Sequence, residues 1–348
     1  MRGPHGHGKV APEIENRRWP AIGESWGYRH ATEEAKLLEQ IRELISLQGD
    51  EFWWYQLKTT LVFLNLAFLG GFLTATPASA KPPPELRTDT VYWLLMPSAR
   101  LVSQIVFAVL IALPIWPLLP HELLSGHGPV MKQPEILRMV EVVLLTDFFA
   151  YWMHRLFHRV PFLWRFHAVH HSPTYVRWST AGRVHPLNET ANYLVGILPC
   201  LLLGFPLQTV LTVAPLLVAY AIAAHVDWNP PYGRLSVIFA SPRFHRWHHT
   251  YSHEGGNSNF SNVFSLWDKV FGTFYLPKDQ VPRVFGLDGG AKMPETYLGQ
   301  LTEPFRSKDD PDHPMPPAGR AEADAMTCKE SKPAAWPAAG ATPSTGHS

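Results

Sequence analysis

The sequence predicts an all-α protein: a multi-pass membrane bundle of helices that carries a polar, cytosolic helical head. Histidines recur at spacings of three and four residues, which place side chains on one face of a helix. The chain has 13 Trp and an aromatic share of 12%, which is typical of proteins whose rings settle at membrane interfaces. The third observation is a series of apolar runs at residues 57–75, 101–119, 136–153, 189–203 and 207–224.

A length of 348 residues fits one membrane domain with tails better than two large globular domains. Residues 1–56 are predicted to be an N-terminal tail that includes an amphipathic helix at 31–48, lying at the membrane interface. Residues 57–305 form the predicted membrane-embedded domain. Residues 306–348 are rich in Pro, Ala and Ser, and we expect them to be disordered.

The first two apolar runs flank a predicted loop. Run 57–75 ends in TATPASAK, which imitates a signal-peptidase site, but 56 residues precede it, so we expect an uncleaved anchor. Residues 76–100 contain three consecutive prolines, Pro82 to Pro84, and are predicted to be a loop. Run 101–119 is long enough for a membrane helix.

The remaining runs frame the histidines. Run 136–153 leads directly into the first histidine pair. Runs 189–203 and 207–224 are separated by Gly204-Phe205-Pro206, a sequence that breaks helices. They are therefore predicted to form a hairpin whose two ends lie on the same side of the membrane.

Charge predicts the orientation. Segment 154–188 carries five arginines, whereas residues 120–135 carry only Lys132. The positive-inside rule then places the histidine head in the cytoplasm. The side of the N-terminus stays open: run 57–75 either spans the membrane or re-enters at Gly70-Gly71. A net charge of +1 gives no reason to expect a nucleic-acid partner.

Three histidine motifs dominate the chain. His154 and His158 are spaced i, i+4, and two HxxHH motifs follow. At the histidine frequency of this chain, one HxxHH arises at a given position with a chance of roughly one in ten thousand. The motif histidines are His154, His158, His167, His170, His171, His245, His248 and His249.

Eight imidazoles are too many for one ion. Neutral imidazole binds iron, zinc, copper and nickel. A structural zinc site would need only four ligands and usually includes cysteine, but Cys200 and Cys328 lie outside the motifs. The pattern therefore predicts two ions with about four or five ligands each, leaving positions open for a small molecule.

The segments DFFAYWMHRLFH, FHAVHH and SPRFHRWHH followed by LWDKVFGTFY resemble the fatty acid hydroxylase and sterol desaturase superfamily. Its members are integral-membrane di-iron oxygenases with histidine boxes. The resemblance covers roughly residues 135–305. It implies two further ligands, because His185 in RVHP and His225 in AAHVDWN match positions where the family places additional histidines. Each stands alone in sequence, so a capping or packing role is the alternative for both.

Two carboxylates are candidates for supporting the ligands. Asp147 lies two helical turns before His154, on the same face, and could accept a hydrogen bond from a ligand imidazole. An ordinary interhelical hydrogen bond is the alternative. Asp268 could hold a ligand histidine in the same way, with a structural salt bridge as its alternative.

The resemblance implies two iron ions that use O2 to hydroxylate or desaturate a C–H bond of a lipid. Zinc can substitute in purified protein, because imidazole sites accept it readily. The lipid class stays open between sterol, fatty acyl group and ether lipid. Two electrons must come from an external donor, such as a cytochrome b5-like protein, a ferredoxin or a reductase, since the chain has neither G-x-G-x-x-G nor C-x-x-C-H.

Two other functions compete. One is a carotenoid-type hydroxylase from the neighbouring histidine-box group. The other is a non-catalytic membrane protein that binds or transports metal. Transporters place polar ligands near the middle of spanning helices, whereas these histidines gather at the ends of apolar runs and in polar segments. That placement favours the enzyme.

Overall fold

The computed structural model describes residues 85–107, 128–227, 233–278, 280–282 and 284–306. The predicted N-terminal tail, the amphipathic helix at 31–48, the run 57–75 and residues 307–348 lie outside this part of the chain, as does most of run 101–119. The α-helices are α1 Glu85–Phe107, α2 Glu135–Arg159, α3 Pro161–His171, α4 Pro186–Leu202, α5 Leu207–Ala224, α6 Pro242–His248, α7 Leu266–Val270 and α8 Tyr297–Thr302.

The described residues bear out the all-α prediction. Their only β-type pairings are two isolated bridges, Phe239 with Phe264 and Thr250 with Phe285. Among these residues, α5 alone combines the length and the apolar character needed to cross a membrane, with a mean hydropathy of 1.9. The multi-pass bundle thus remains a prediction.

Residues 85–100 of helix α1 were predicted to be a loop, whereas its last residues, 101–107, belong to run 101–119, which was predicted to be helical. Helix α1 is stabilised by contacts with residues that are distant in sequence, and local sequence patterns do not reveal such contacts. Asp89 and Arg183 form a buried ion pair with an N–O distance of 2.5 Å, and Trp93 Nε1 donates to the carbonyl oxygen of Ser179 at 2.9 Å. Tyr92 is fully buried and packs edge-on against Tyr297.

A proline creates the corner between α2 and α3. The residue before a proline is disfavoured in helical conformation, and Val160 is extended, with φ −98° and ψ 114°. Pro161 then begins α3, where its missing N–H costs nothing. The chain folds back on itself here, so the histidines at the end of α2 meet those at the end of α3.

The predicted hairpin forms as α4 and α5. Gly204 adopts φ 86° at the turn, a conformation that glycine reaches without the steric cost of a Cβ. The amide N–H groups of Gly204 and Phe205 close the end of α4 on carbonyl oxygens of Leu201 and Cys200. Helices α2, α4 and α5 share a buried apolar cluster: Val142, Cys200, Phe205, Val210 and Val213.

Candidate metal centre

Nine histidines converge into two groups at one end of α2, α4 and α5. The first group is His154, His158, His167, His171 and His248. The second group is His170, His225, His245 and His249. Within each group the candidate ligand nitrogens all lie within 4.8 Å of one another. None of the nine side chains is more than 7% exposed.

Helical spacing decides which group a histidine joins. Each i, i+4 pair stays together: His154 with His158, His167 with His171, and His245 with His249. The middle histidine of each HxxHH motif, His170 on α3 or His248 on α6, joins the opposite group. The two helices therefore each contribute to both groups.

Capping residues fix the start of α6 and the end of α5 beside the two histidine groups. Ser241 caps α6 by accepting the Phe244 N–H at 3.1 Å, and Pro242 occupies the first helical position. His225 follows the last residue of α5 as its C-cap. The predicted same-side placement of the hairpin ends thus brings His225 to the second group.

Five of the nine histidines donate their Nδ1–H to an oxygen. The acceptors are Phe260 O for His154 at 2.8 Å, Asn188 Oδ1 for His167 at 2.8 Å, Arg183 O for His170 at 3.1 Å, Ala221 O for His225 at 2.7 Å and Ser258 O for His248 at 2.7 Å. A carbonyl oxygen has no proton to give, so each of these neutral rings carries its proton on Nδ1. Each Nε2 is left with a bare lone pair, which is the form that binds metal.

These bare nitrogens face one another. Nε2 of His154 lies 3.1 Å from Nε2 of His167 in the first group, and Nε2 of His170 lies 3.2 Å from Nε2 of His225 in the second. Two lone pairs cannot form a hydrogen bond with each other. Bonds of about 2.0–2.1 Å from a metal to imidazole nitrogens would place neighbouring ligand nitrogens about 3.0–3.4 Å apart. The residues present therefore fit one cation in each group.

Four further buried nitrogens have no hydrogen-bond partner within the described residues: His158 Nδ1, His158 Nε2, His245 Nδ1 and His249 Nδ1. A buried polar atom without a partner costs roughly 1–3 kcal/mol. A bound cation would satisfy one nitrogen of His158, whereas in His245 and His249 it is Nε2 that faces the other ligands.

Burial sets the charge of the ligands. Loss of water lowers the pKa of all nine imidazoles, and neighbouring imidazoles lower it further for most of them. The pKa of His154 and that of His225 fall to about 4. At neutral pH the rings are uncharged and ready to bind metal.

His185 lies outside both groups, contrary to its expected role as a tenth ligand. It is the N-cap of α4: its Nδ1 accepts the Leu187 N–H at 3.1 Å, and its Nε2 lies 3.2 Å from the Leu301 carbonyl oxygen. Nδ1 uses its lone pair as an acceptor, so Nε2 carries the proton and donates it. No lone pair remains for a metal. The structure therefore agrees with the alternative, in which His185 is a capping residue.

Asp147 and Asp268 contact no ligand imidazole. Asp147 accepts N–H groups from the backbone of residues 262–264 and from Trp267 Nε1. Asp268 accepts the N–H of Phe260 at 2.8 Å and of Ser261 at 2.9 Å. Both carboxylates thus fix residues 260–264, which include the Phe260 carbonyl oxygen that orients His154. Their support of the ligands runs through the backbone instead of a direct hydrogen bond.

Asn188 and the carbonyl oxygens around the ligands were missed by sequence reasoning. Backbone carbonyls carry no residue-type signal, so Arg183, Ala221, Ser258 and Phe260 could not have been identified. Asn188 lies three residues after His185 in the first turn of α4. Its position directly before the apolar run 189–203 was the one available signal.

A cavity of about 240 Å³ opens beside the histidines and runs between α2, α4 and α5. The histidines that line it are His154, His167, His170, His225 and His245. Away from them the wall is largely apolar and includes Val142, Ile197, Val210 and Leu217. Both groups of histidines therefore meet one cavity with a polar and an apolar end.

Residues 139–273 match the model of the fatty acid hydroxylase family. The chain is 33% identical over 175 residues to the ornithine lipid hydroxylase of Rhizobium tropici, covering 50% of this chain and 52% of that protein. It is 31% identical over 142 residues to the human alkylglycerol monooxygenase, covering 41% of this chain and 31% of that protein. The alkylglycerol monooxygenase of Caenorhabditis elegans is 30% identical over 146 residues, covering 42% and 28%. The chain spans about half or less of the length of these curated relatives, and no solved structure matches it with statistical significance.

The matched segment contains the nine clustered histidines, both carboxylates and all the residues that line the cavity. Hydroxylase and monooxygenase, the names of these relatives, both denote oxidoreductases. Residues 139–273 therefore match a fatty acid hydroxylase domain, and the chain is similar in this part to proteins named as hydroxylases and monooxygenases.

Proposed function

We propose that this protein is a membrane-bound di-iron oxygenase that oxidises a C–H bond of a lipid. The observation that carries the proposal is the pair of adjacent histidine groups beside a cavity that also has an extensive apolar wall. The first group would hold one iron with five imidazoles, and the second would hold the other with four. His185 is left out of this ligand set.

Iron bound here supplies the reduction of O2 and the oxidation of an unactivated C–H bond. For hydroxylation the balance is R–H + O2 + 2 electrons + 2 protons → R–OH + H2O. The electrons come from an external donor, which we propose to be a cytochrome b5-like protein, a ferredoxin or a reductase. Desaturation of the same lipid is the second outcome of this chemistry.

The protein's own residues orient the metal ligands and enclose the substrate. Asn188 and the carbonyl oxygens of Arg183, Ala221 and Phe260 fix the imidazole rings, and such partners are what tune metal ligands. The apolar wall excludes water from the reacting carbon. Placement of that carbon decides between hydroxylation and desaturation, since small displacements change which bond reacts.

Exposed apolar faces support placement in a membrane. Helix α1 exposes Leu94 at 68% and Val102 at 60%, and α2 exposes Ile136 at 69%. Such faces are costly in water and natural in lipid. We therefore propose a multi-pass protein whose apolar helices sit in the bilayer and whose histidine head faces the cytoplasm, where segment 154–188 carries its arginines.

The first test is metal content per chain in protein produced with added iron, with Mössbauer spectra on the same sample. Two irons in a coupled pair are expected. Oxidation of lipid extracts with a reductase under 18O2 should then add one labelled oxygen atom to a lipid. One ion per chain, or labelled oxygen that never reaches a lipid, would contradict the proposal.

A further inference from the structure

We propose that Asp227, which is not itself a ligand, positions His225 within the second histidine group. It does so by binding Tyr175 and Arg246, which lie beside the parts of the chain that supply the other ligands of that group. The inference rests on the proposed function, because it concerns the same two-ion centre. It assigns Asp227 as a positioning residue that acts through the protein chain and not by direct contact with an ion.

Each member of this triad lies next to one part of the second group. Asp227 lies two residues after His225, at the end of α5. Arg246 is the residue after His245 on α6. Tyr175 lies four residues after the end of α3, the helix that supplies a further ligand of this group. The triad therefore contains one residue from each of the three places in the chain that build the second group.

A single carboxylate joins the three segments. Oδ2 of Asp227 accepts the hydroxyl hydrogen of Tyr175, with an O–O distance of 2.8 Å. Oδ1 of Asp227 accepts an N–H of the Arg246 guanidinium, with which it forms an ion pair. Hydrogen bonds to an ionised group are roughly twice as strong as those between neutral groups. Each oxygen thus holds a different segment against the end of α5.

The second group needs such a connection because its members are far apart in the chain. His170 and His225 are 55 positions apart, and His225 and His245 are 20 apart. The Nε2 atoms of His170 and His245 nevertheless lie 3.2 and 3.1 Å from Nε2 of His225, although bare lone pairs do not attract each other. Contacts outside the group must therefore hold the rings together before an ion binds. A site whose groups are already ordered binds its ion more tightly.

The burial of Arg246 makes the Asp227 carboxylate necessary. The Arg246 side chain is only 6% exposed, and its Cζ lies over the ring of Phe285, 5.3 Å from the ring centroid. A buried charge without its counter-ion is strongly destabilising. In Asp227→Asn, one of the two oxygen positions becomes an NH2 group that faces a donor. That change breaks the connection and removes the counter-ion, so the end of α5 with His225 is no longer held against α6.

The exposure of the triad predicts unequal effects of its members. Tyr175 is 41% exposed, and the Asp227 side chain is 35% exposed, so water can replace the hydroxyl group in Tyr175→Phe. We therefore expect Tyr175→Phe to have a smaller effect than Asp227→Asn. Arg246→Lys keeps a cationic N–H donor and should have a smaller effect than Arg246→Gln.

Zinc binding measures these effects without turnover, since imidazole sites accept zinc readily. The full-length protein is produced with added zinc, and titration with a chelator then removes the ions in order of affinity. We expect two zinc ions per chain. Asp227→Asn should weaken one ion about 10–100-fold, the loss typical of a partner that orients a ligand, and change the other less than about twofold. A single zinc ion in the unsubstituted protein, equal weakening of both ions, or no weakening would overturn the inference.

A second background shows which group has changed. His225→Ala is expected to keep an ion in the first group alone. Adding Asp227→Asn to this variant should change the affinity of the remaining zinc less than about twofold, because the ligand that the triad positions is already absent. A larger loss would show that Asp227 supports the whole head and not the second group, which would also overturn the inference.

A double variant tests whether the triad acts as a unit. Asp227→Asn combined with Arg246→Gln should weaken the second zinc no more than Asp227→Asn alone, because both changes break the same ion pair. Additive losses would show two independent roles and contradict the inference. Arg306→Gln is the control for the loss of an ion pair as such: it breaks the pair with Glu303, and neither residue adjoins a ligand in sequence.

The inference and the proposed function can fail separately. If Asp227→Asn leaves zinc binding unchanged while the protein oxidises a lipid, the inference fails and the proposed function stands. If the second zinc is weakened as described but the unsubstituted, iron-loaded protein oxidises no lipid, the proposed function fails and the positioning role of Asp227 stands.

Discussion

The two histidine groups differ in how the chain builds them. Four of the five histidines in the first group come from the continuous segment 154–171, folded back at Val160-Pro161. The second group takes its members from three separate places: α3, the end of α5, and α6. In it, Nε2 of His225 lies 3.1–3.2 Å from Nε2 of His170, His245 and His249. The first group is thus built mainly from one local corner, whereas the second needs helices that are distant in sequence to pack together, with His225 contributed by the hairpin.

His225→Ala should have the largest effect on this comparison. The second group loses the ring that contacts all its other members, so we expect binding of that ion to weaken by more than about 100-fold, beyond the loss typical of an outer-shell partner. Metal content should fall from two ions per chain to one, and lipid oxidation should disappear. Retention of two ions would show that His225 is not a ligand.

Asn188→Ala should weaken the first group instead. It removes the acceptor for His167 Nδ1–H, and loss of such a partner typically costs about 10–100-fold in metal affinity. Asn188→Asp keeps an acceptor and is the matched control. Competition with a chelator, followed by metal analysis, measures the change. Equal weakening in both variants would point to a packing role for Asn188.

Asp268→Asn should act on the first group by way of the backbone. It loosens Phe260 and Ser261, and with them the carbonyl oxygen that orients His154. We expect about a tenfold loss of metal affinity in that group and a loss of about 1–3 kcal/mol in the free energy of unfolding. Asp288→Asn is the control, because Asp288 also accepts a backbone N–H, from Ser252, and orients no ligand. Similar loss of metal in both variants would show that Asp268 has no specific role in orienting His154.

His185→Ala should leave both groups intact. The change removes the N-cap of α4, at a cost of about 1 kcal/mol in the free energy of unfolding. Two ions per chain should remain, and thermal unfolding should shift only slightly. Loss of an ion in this variant would return His185 to the ligand set.

The sequence predicted most of the centre because helical spacing is a local property. The pairs His154 with His158, His167 with His171 and His245 with His249 could be recognised without any knowledge of the fold. The division into groups could not, since His170 and His248 cross between them only through the packing of α3 and α6. His185 shows a different error: it was predicted to be a metal ligand, but it lies outside both groups and is the N-cap of α4.

The hairpin and the α2 helix were also predictable, from apolar runs and from the helix-breaking Gly204-Phe205-Pro206. Helix α1 was not, because it is stabilised by partners such as Arg183 and Tyr297, which are distant in sequence. Asp147 illustrates the limit within the site. Its helical face was identified correctly, yet its N–H donors come from residues 262–264, more than 100 positions away.

The crossing histidines make the centre mechanically stiff. His170 and His171 are adjacent on α3 and serve different groups, and His248 and His249 do the same on α6. The separation between two bound ions is then set by neighbouring positions on rigid helices and not by flexible loops. Under the proposed function, neither ion would move relative to the other unless a whole helix rotated, so motion during turnover would fall to the substrates.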